Sequence, residues 1–350
     1  MLELNTHLVR KLVDNKVILI TGGTGSFGNQ IIKTLVSQFN PKKVIIFSRD
    51  EFKQFEMQKR LSPTKYPCLR YFLGDVRDYD RVEQAFRGVN IVFHAAALKQ
   101  VPALEYNPTE AIKTNIYGTQ NVINAAIKNN LEKVIGVSTD KAVNPCNLYG
   151  ATKLCFERLI VAANSLSGSG GPIFSVLRYG NVFGSRGSVV PVFLKQSLNN
   201  KITITHQEMT RFTITLPEAI NFVLNCASRM IGGEVFVPRL PSYNILQLAN
   251  VINQEAVKEI IGIRPGEKIH ELMVSSNESH LTLNCGSFFV ITPLTKYHAK
   301  DNYVSNYVEF NPILMKEGEE YSSGVNQLID NQKLALLIRG YITEYPEYSI

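Results

Sequence analysis

The sequence predicts an α/β fold in which helices cover both faces of a parallel sheet, and three observations carry that expectation. From residue 16 to about 174, short β-branched runs alternate with longer helical stretches. A glycine-rich turn joins the first run to the first helical stretch, and no internal repeat or low-complexity tract suggests another architecture. The first run, 17–21, is apolar almost throughout, as a strand buried on both faces requires. The helical stretch after it, 29–39, places Ile31, Ile32, Leu35 and Val36 along one face. Strand-like runs recur at 44–48, 69–73, 91–95, 134–138 and 174–178. Right-handed crossovers then bring all their carboxyl ends to one edge of the sheet, where such Rossmann-like doubly wound folds take up ligands.

Beyond Gly184 the alternation weakens. Shorter strand-like pieces at 202–205 and 234–237 mix with helical stretches at 216–228 and 245–254 and with the turn Arg264-Pro265-Gly266. We expect a smaller C-terminal substrate-binding lobe over 185–298. The tail, 299–350, is polar with few periodic signals and is left unassigned.

At 350 residues and 45% hydrophobic content the chain is long enough for one large domain or two lobes. The formal charge is +7, but the basic residues are scattered, with no run that would track nucleic acid, so the excess suits a small anionic ligand or solubility alone. Five cysteines, Cys68, Cys146, Cys155, Cys226 and Cys285, form no CxxC pair and no metal-type spacing with the six histidines. A reducing compartment and no metal are the expectation. Residues 1–15 carry neither a signal peptide nor a membrane span, so the protein is expected to be cytoplasmic, with no membrane partner.

The glycine turn contains Gly22, Thr24, Gly25, Ser26, Phe27 and Gly28, in G-x-x-G-x-x-G spacing. Glycine permits the tight turn, and a helix start presents free N–H groups to a pyrophosphate. A strand before it and a helix after it favour a dinucleotide site over a plain loop, in a domain over 12–184. After the second strand come Ser48, Arg49 and Asp50, with Lys53 close by. An acidic residue at this place holds the ribose of NAD, whereas Arg49 and Lys53 suit the 2′-phosphate of NADP. NADP is therefore expected over NAD. The alternative is a solvated Arg49 with Asp50 on the ribose. Asp75 and Val76 fall near the adenine, and Ala95 and Ala97 fall where the cofactor passes over bare backbone.

Ser138-Thr139-Asp140-Lys141 and Tyr149-Gly-Ala-Thr-Lys153 carry the chemistry. Tyr149 and Lys153 are four apart and share a helix face, where an ammonium stabilises a phenolate. Alone, that spacing describes a solvated pair. With the glycine turn and the Asp140-Lys141 pair in order, the chain resembles the extended short-chain dehydrogenase/reductases that remodel nucleotide sugars. Ser48 to Gln54, His94 to Pro102, Ser138 to Pro145, Arg178 to Val182, Met209 to Phe212 and Arg264-Pro-Gly-Glu-Lys268 make it similar to their inverting UDP-N-acetylglucosamine 4,6-dehydratases over roughly residues 12–295. Related hexose dehydratases carry Asp-Glu or Thr-Glu types in place of Asp140-Lys141. The 4-epimerases lack the pair. The retaining, membrane-anchored branch has methionine at the Tyr149 place. Cys146, Cys155 and the run 254–258 depart from the pattern.

The resemblance implies a route: oxidation at C4 makes the C5 hydrogen acidic and the C6 hydroxyl a β leaving group. Tyr149 takes the C4 hydroxyl proton, Lys153 depresses its pKa and holds the cofactor ribose, and Thr139 bonds the C4 oxygen. Lys141 takes the C5 proton, and Asp140, protonated by burial, protonates the leaving hydroxyl. Lys141 must then be neutral, which Lys153 favours and a charged Asp140 opposes. On a regular strand the pair would point to opposite faces, so the chain must leave strand geometry after Ser138, as Asn144-Pro145 supports. Lys99, implied at the cofactor as well, and Asn181 are implied near the sugar and diphosphate, and Arg211, Arg264 and Glu267 near the diphosphate and uridine of UDP-N-acetylglucosamine. Arg211 is alternatively a partner of Glu208 or Glu218. Asn115 is expected to order the active-site loop. A 4-epimerase and a non-catalytic NADP-binding sensor are the competing readings, and family members commonly assemble as dimers or hexamers.

Overall fold

The computed structural model describes residues 2–185, 187–294 and 300–345. Six strands build the expected parallel core: β1 (Val17–Thr21), β2 (Lys43–Ser48), β3 (Leu69–Leu73), β4 (Ile91–His94), β5 (Lys133–Thr139) and β6 (Ile173–Tyr179). Their order is β3-β2-β1-β4-β5-β6, so every crossover leads to a parallel neighbour except that from β3, which passes back over β2 and β1 to β4. The register sets Thr21 beside Phe47 and His94, and Thr139 beside Tyr179, which aligns the carboxyl ends along one edge. All five residues of β1 are buried, consistent with helices on both faces.

The first helix after the glycine turn runs Ser26–Gln38 and buries Ile31, Ile32 and Leu35. It starts three residues earlier than its apolar periodicity suggested, because Gly25 itself is the N-cap. The helix Leu148–Ser167 is capped by the Asn147 side chain, which accepts from Gly150 N at 2.8 Å. At Gly150 this helix touches the turn after β5 so closely that a Cβ would lie 2.2 Å from the Lys141 carbonyl oxygen. Only glycine fits there, and the contact aims the start of this helix at the end of β5.

The sheet does not stop at β6. Val235–Pro238 adds in parallel beside it, and Phe288–Ile291, Thr282–Asn284 and Ile313–Leu314 extend it antiparallel. One core therefore draws on residues from both sides of the 184/185 division read from the sequence, with Tyr303, Tyr307 and Met315 of the tail joining it. A second core packs Val190, Phe193, Ile202, Leu248, Leu334 and Ile338. The expected 298/299 boundary lies outside the described residues. The helix Asn331–Glu344, in the stretch without strong periodicity, is held by the second core. Among the described residues, no helix is long and apolar enough to cross a membrane.

A buried ion cluster fastens β6 to its surroundings. Arg178, 1% exposed, pairs with Glu157 at 2.6 Å and Glu278 at 3.0 Å and donates to Met273 O at 2.7 Å. Burial alone would raise the Glu278 carboxyl, but Arg178 brings it down to about 2. A depressed carboxyl contributes stability above its unfolded pKa. That contribution is expected to be complete above about pH 4.5 and to disappear as pH falls toward about 2. Arg178→Met strands the buried Glu157 and the partly buried Glu278 and is expected to cost about 3–5 kcal/mol, read as a lower urea midpoint at unchanged m value.

Candidate active site

β5 ends at Thr139, and the chain passes at once into a tight 3-10 turn, Asp140–Ala142. The departure from strand geometry foreseen after Ser138 thus comes one residue later. The turn brings Lys141 Nζ to 3.1 Å from Asp140 Oδ1, and Thr139 Oγ1 donates to the same oxygen at 2.8 Å. Asp140 is fully buried, so the pair is no surface salt bridge. Its Oδ2 has no hydrogen-bond partner among the described residues.

Lys141 has a second carboxylate that neither motif nor resemblance indicated. Glu271 Oε1 lies 3.3 Å from Lys141 Nζ, and Arg211 Nε lies 3.6 Å from that same oxygen. The only signal in the sequence is a charged residue opening the apolar run 272–274, just past Arg264-Pro-Gly-Glu-Lys268. Glu271 is placed by the tail: its N–H donates to Ser323 Oγ and its carbonyl accepts from Ser323 N.

The charges sort themselves. Burial raises the pKa of Asp140, and the Glu271 charge adds to this against the pull of Lys141. Desolvation favours the Lys141 amine, but the charges of Asp140 and Glu271 outweigh it and raise its pKa. Burial would raise Glu271, yet the cations Lys141, Arg211 and Lys268 hold it below the usual carboxylate range. The free site therefore holds Lys141 as an ammonium, and the help expected from Lys153 in neutralising it is not what governs it.

Tyr149 and Lys153 do share the helix Leu148–Ser167. Burial pushes the Tyr149 hydroxyl up to about 12, opposed first by the charge of Lys141. Lys153, expected to be the cation acting on Tyr149, instead donates to Val137 O at 2.7 Å and lies 3.2 Å from the Phe156 ring centroid. Desolvation brings its pKa to about 7.

The carboxyl edge of β1–β4 gathers the residues expected at a cofactor. Gly25 caps the helix Ser26–Gln38 without a side-chain hydrogen bond, so no cap side chain takes up its leading N–H groups. A Cβ on Gly22, at φ +66°, would stand 2.9 Å from Ala96 Cα, and one on Gly28 would stand 2.2 Å from Gly23 O. The turn is thus bare backbone laid against the Ala95–Ala97 stretch, with Thr24 Oγ1 2.8 Å from Ser48 Oγ. Asp50 caps the helix Glu51–Arg60 through Lys53 N and pairs with Lys53 Nζ at 2.8 Å. Arg49 is half exposed and only loosely paired, 3.6 Å from Asp75, which Arg77 holds at 2.7 Å. Val76 is buried behind them.

The residues expected at the substrate divide. Lys99 lies close enough to Lys141 that its charge, after desolvation, lowers the Lys99 pKa. Asn181 Oδ1 and Glu267 Oε2 are buried without partners among the described residues. Arg264 is 63% exposed along its side chain. Arg211 differs: its guanidinium donates to Thr210 O at 2.7 Å and Ile269 O at 3.1 Å and faces Glu271, so it pairs with neither Glu208 nor Glu218. Glu218 instead completes a capping box with Thr215. Asn147 Nδ2 donates to Gly266 O at 2.8 Å and Lys268 Nζ donates to Val143 O, tying the 264–268 segment to the turn after β5. Asn115 brackets Leu98 through both backbone groups and bonds Thr152, ordering the loop after β4 as expected.

Residues 18–293 match the family described as Polysaccharide biosynthesis protein. The chain belongs to this family. Among the relatives of this chain, UDP-N-acetylglucosamine 4,6-dehydratase (inverting) from Campylobacter jejuni is 50% identical over 330 residues, 93% of this chain and 98% of that one. A protein named UDP-glucose 4-epimerase from Rickettsia rickettsii is 44% identical over 272 residues, 75% and 79% of the two chains. The X-ray structure of Pen from Bacillus thuringiensis superposes with a TM-score of 0.82 at 38% identity, covering 94% and 98%. The dTDP-glucose 4,6-dehydratase DesIV from Streptomyces venezuelae, solved with NAD and TYD, shares the fold at a TM-score of 0.67 and 16% identity, covering 95% and 98%.

In this family member, a depressed Lys153 means that the folded state binds its proton less tightly than the unfolded state. Stability should therefore rise between about pH 7 and the unfolded lysine value. Lys153→Met is expected to flatten that rise without loss of stability at neutral pH, as read by thermal unfolding across pH in the ligand-free protein.

Proposed function

We propose that this chain is a UDP-N-acetylglucosamine 4,6-dehydratase that inverts C5, a hydro-lyase working with NADP. The observation that carries the reading is the buried Asp140 paired with the partly buried Lys141 beside Thr139 and Tyr149, in a chain 50% identical to an enzyme of that name. The bare glycine turn and the uncapped helix start fit a dinucleotide pyrophosphate. A nicotinamide cofactor held there would supply the two-electron chemistry, hydride removal at C4 and its return at C6, with a proton regained at C5 on the opposite face completing the inverted product.

The side chains do the proton work. Tyr149 removes the C4 hydroxyl proton while Thr139 holds the C4 oxygen. Asp140, fully buried, carries a proton on its unpartnered side and gives it to the departing C6 hydroxyl. Lys141 takes the C5 proton as the amine. Asp140 and Glu271 oppose that form in the free site, whereas Arg211 and Lys99 beside it push toward it. Lys153 supports the cofactor ribose. Lys99, Asn181, Arg264 and Glu267 receive the sugar, diphosphate and uridine. Arg211 serves through Glu271, since its donors face inward.

The relative named UDP-glucose 4-epimerase supports a second reading, 4-epimerisation. That chemistry needs Tyr149 but neither Asp140 nor Lys141. Incubation with UDP-N-acetylglucosamine separates the two by mass: dehydration removes one water, whereas an epimer keeps the substrate mass. Lys141→Ala is expected to abolish water loss while cofactor binding persists; continued dehydration would remove Lys141 as the base. Arg49 is half exposed and Asp50 is engaged in a cap, which supports NADP. Arg49→Glu is expected to shift the cofactor preference at least tenfold toward NAD, measured by titrating both dinucleotides.

A further inference from the structure

We propose that Glu271 is a positioning residue which, by sharing the Lys141 ammonium, leaves Asp140 able to remain a protonated acid. This rests on the role of Asp140 as the acid in the reaction proposed above. With no Glu271, the ammonium would have one carboxylate neighbour, Asp140 at 3.1 Å, and a contact ion pair favours the ionised carboxylate. With Glu271 at 3.3 Å, one ammonium serves two carboxylates in a buried site, where two adjacent negative charges oppose each other.

Their surroundings decide which carboxylate keeps the charge. Glu271 also faces Arg211, from the strand Thr210–Ile214, at 3.6 Å, and feels the charge of Lys268. Among the described residues, Asp140 has only the Thr139 hydroxyl and the shared ammonium as hydrogen-bond partners. The other titratable groups around the pair are Tyr149 on the helix Leu148–Ser167, Lys99 on the loop after β4, and Tyr243 on the strand Ser242–Asn244. Both lysine and threonine hydrogen bonds fall on Asp140 Oδ1, while Oδ2 is buried without a partner among the described residues. A protonated carboxyl satisfies this arrangement: Oδ1 accepts, and Oδ2 carries the proton that a leaving hydroxyl needs. The opposite shifts of the two carboxyls, Asp140 up through burial and Glu271 down through its cations, agree with it.

Infrared spectroscopy of the ligand-free protein tests this without turnover. The carbonyl band of a protonated carboxyl, assigned to Asp140 by its loss in Asp140→Asn, is followed against pH. The wild type should show the band at neutral pH. Glu271→Gln, close in shape, should lower its midpoint by at least about one pH unit, a roughly tenfold fall in the protonated fraction at fixed pH. Glu271→Asp keeps the charge and should move it less, which a mere packing defect would not do. A midpoint unchanged in Glu271→Gln, or no Asp140 band in the wild type at neutral pH, overturns the proposal. Water loss from UDP-N-acetylglucosamine by the wild type is measured separately. Its absence sinks the dehydratase reading, whereas a dehydrating wild type with an unmoved midpoint sinks only the role of Glu271.

Discussion

A chain of four charges, the buried Asp140, Glu271 and Arg211 with the partly buried Lys141, is the constraint on which the rest of the site depends. Charges removed from water must find partners or neutralise, and here one ammonium, one guanidinium and two carboxylates do both. Burying them requires that the end of β5, the strand Thr210–Ile214 and the segment before Leu272–Val274 converge. Ser323 of the tail completes the closure by holding Glu271 at its backbone and bonding Thr210 through its hydroxyl. Residues from the middle and last thirds of the chain thus stand behind the Asp140-Lys141 pair.

Close backbone approach supplies the second constraint. Gly150 lets the helix Leu148–Ser167 rest on the Lys141 carbonyl, which brings Tyr149 within the field of Lys141. Gly22 and Gly28 let the first crossover fold down on itself and on Ala96, leaving backbone where a dinucleotide needs to pass. At both places the missing Cβ is the reason for the residue, and the fold and the chemistry impose the same requirement.

The strands and the site residues were legible to different degrees. The run 17–21 reads as a doubly buried strand because apolar residues follow one another without alternation, and β1 is that strand. Helix starts were harder: the helix at Ser26 begins inside the glycine turn, where no apolar periodicity marks it. The tail strand Ile313–Leu314 is two residues long and exposed, so it has no pattern to read; it exists because Thr282–Asn284 offers an open edge. Asp140, Lys141, Tyr149 and Lys153 were legible because they lie within fourteen consecutive positions. Arg211 was singled out, but the ion-pair partners weighed for it, Glu208 and Glu218, are its neighbours in sequence, whereas the folded partner is sixty residues on.

The sequence by itself determined the parallel sheet, the bare glycine turn and the presence of a tyrosine, two lysines and an aspartate near one strand end. These follow from local periodicity, from residues without side chains and from short spacing, none of which needs a third dimension. Only the tertiary structure decided which charges meet. Glu271 joins Lys141 across 130 residues, and Lys153 bonds Val137 O rather than serving as the cation beside Tyr149. Electrostatic partnership depends on distance and burial in space, and those are set when separate segments pack together, not by their order along the chain.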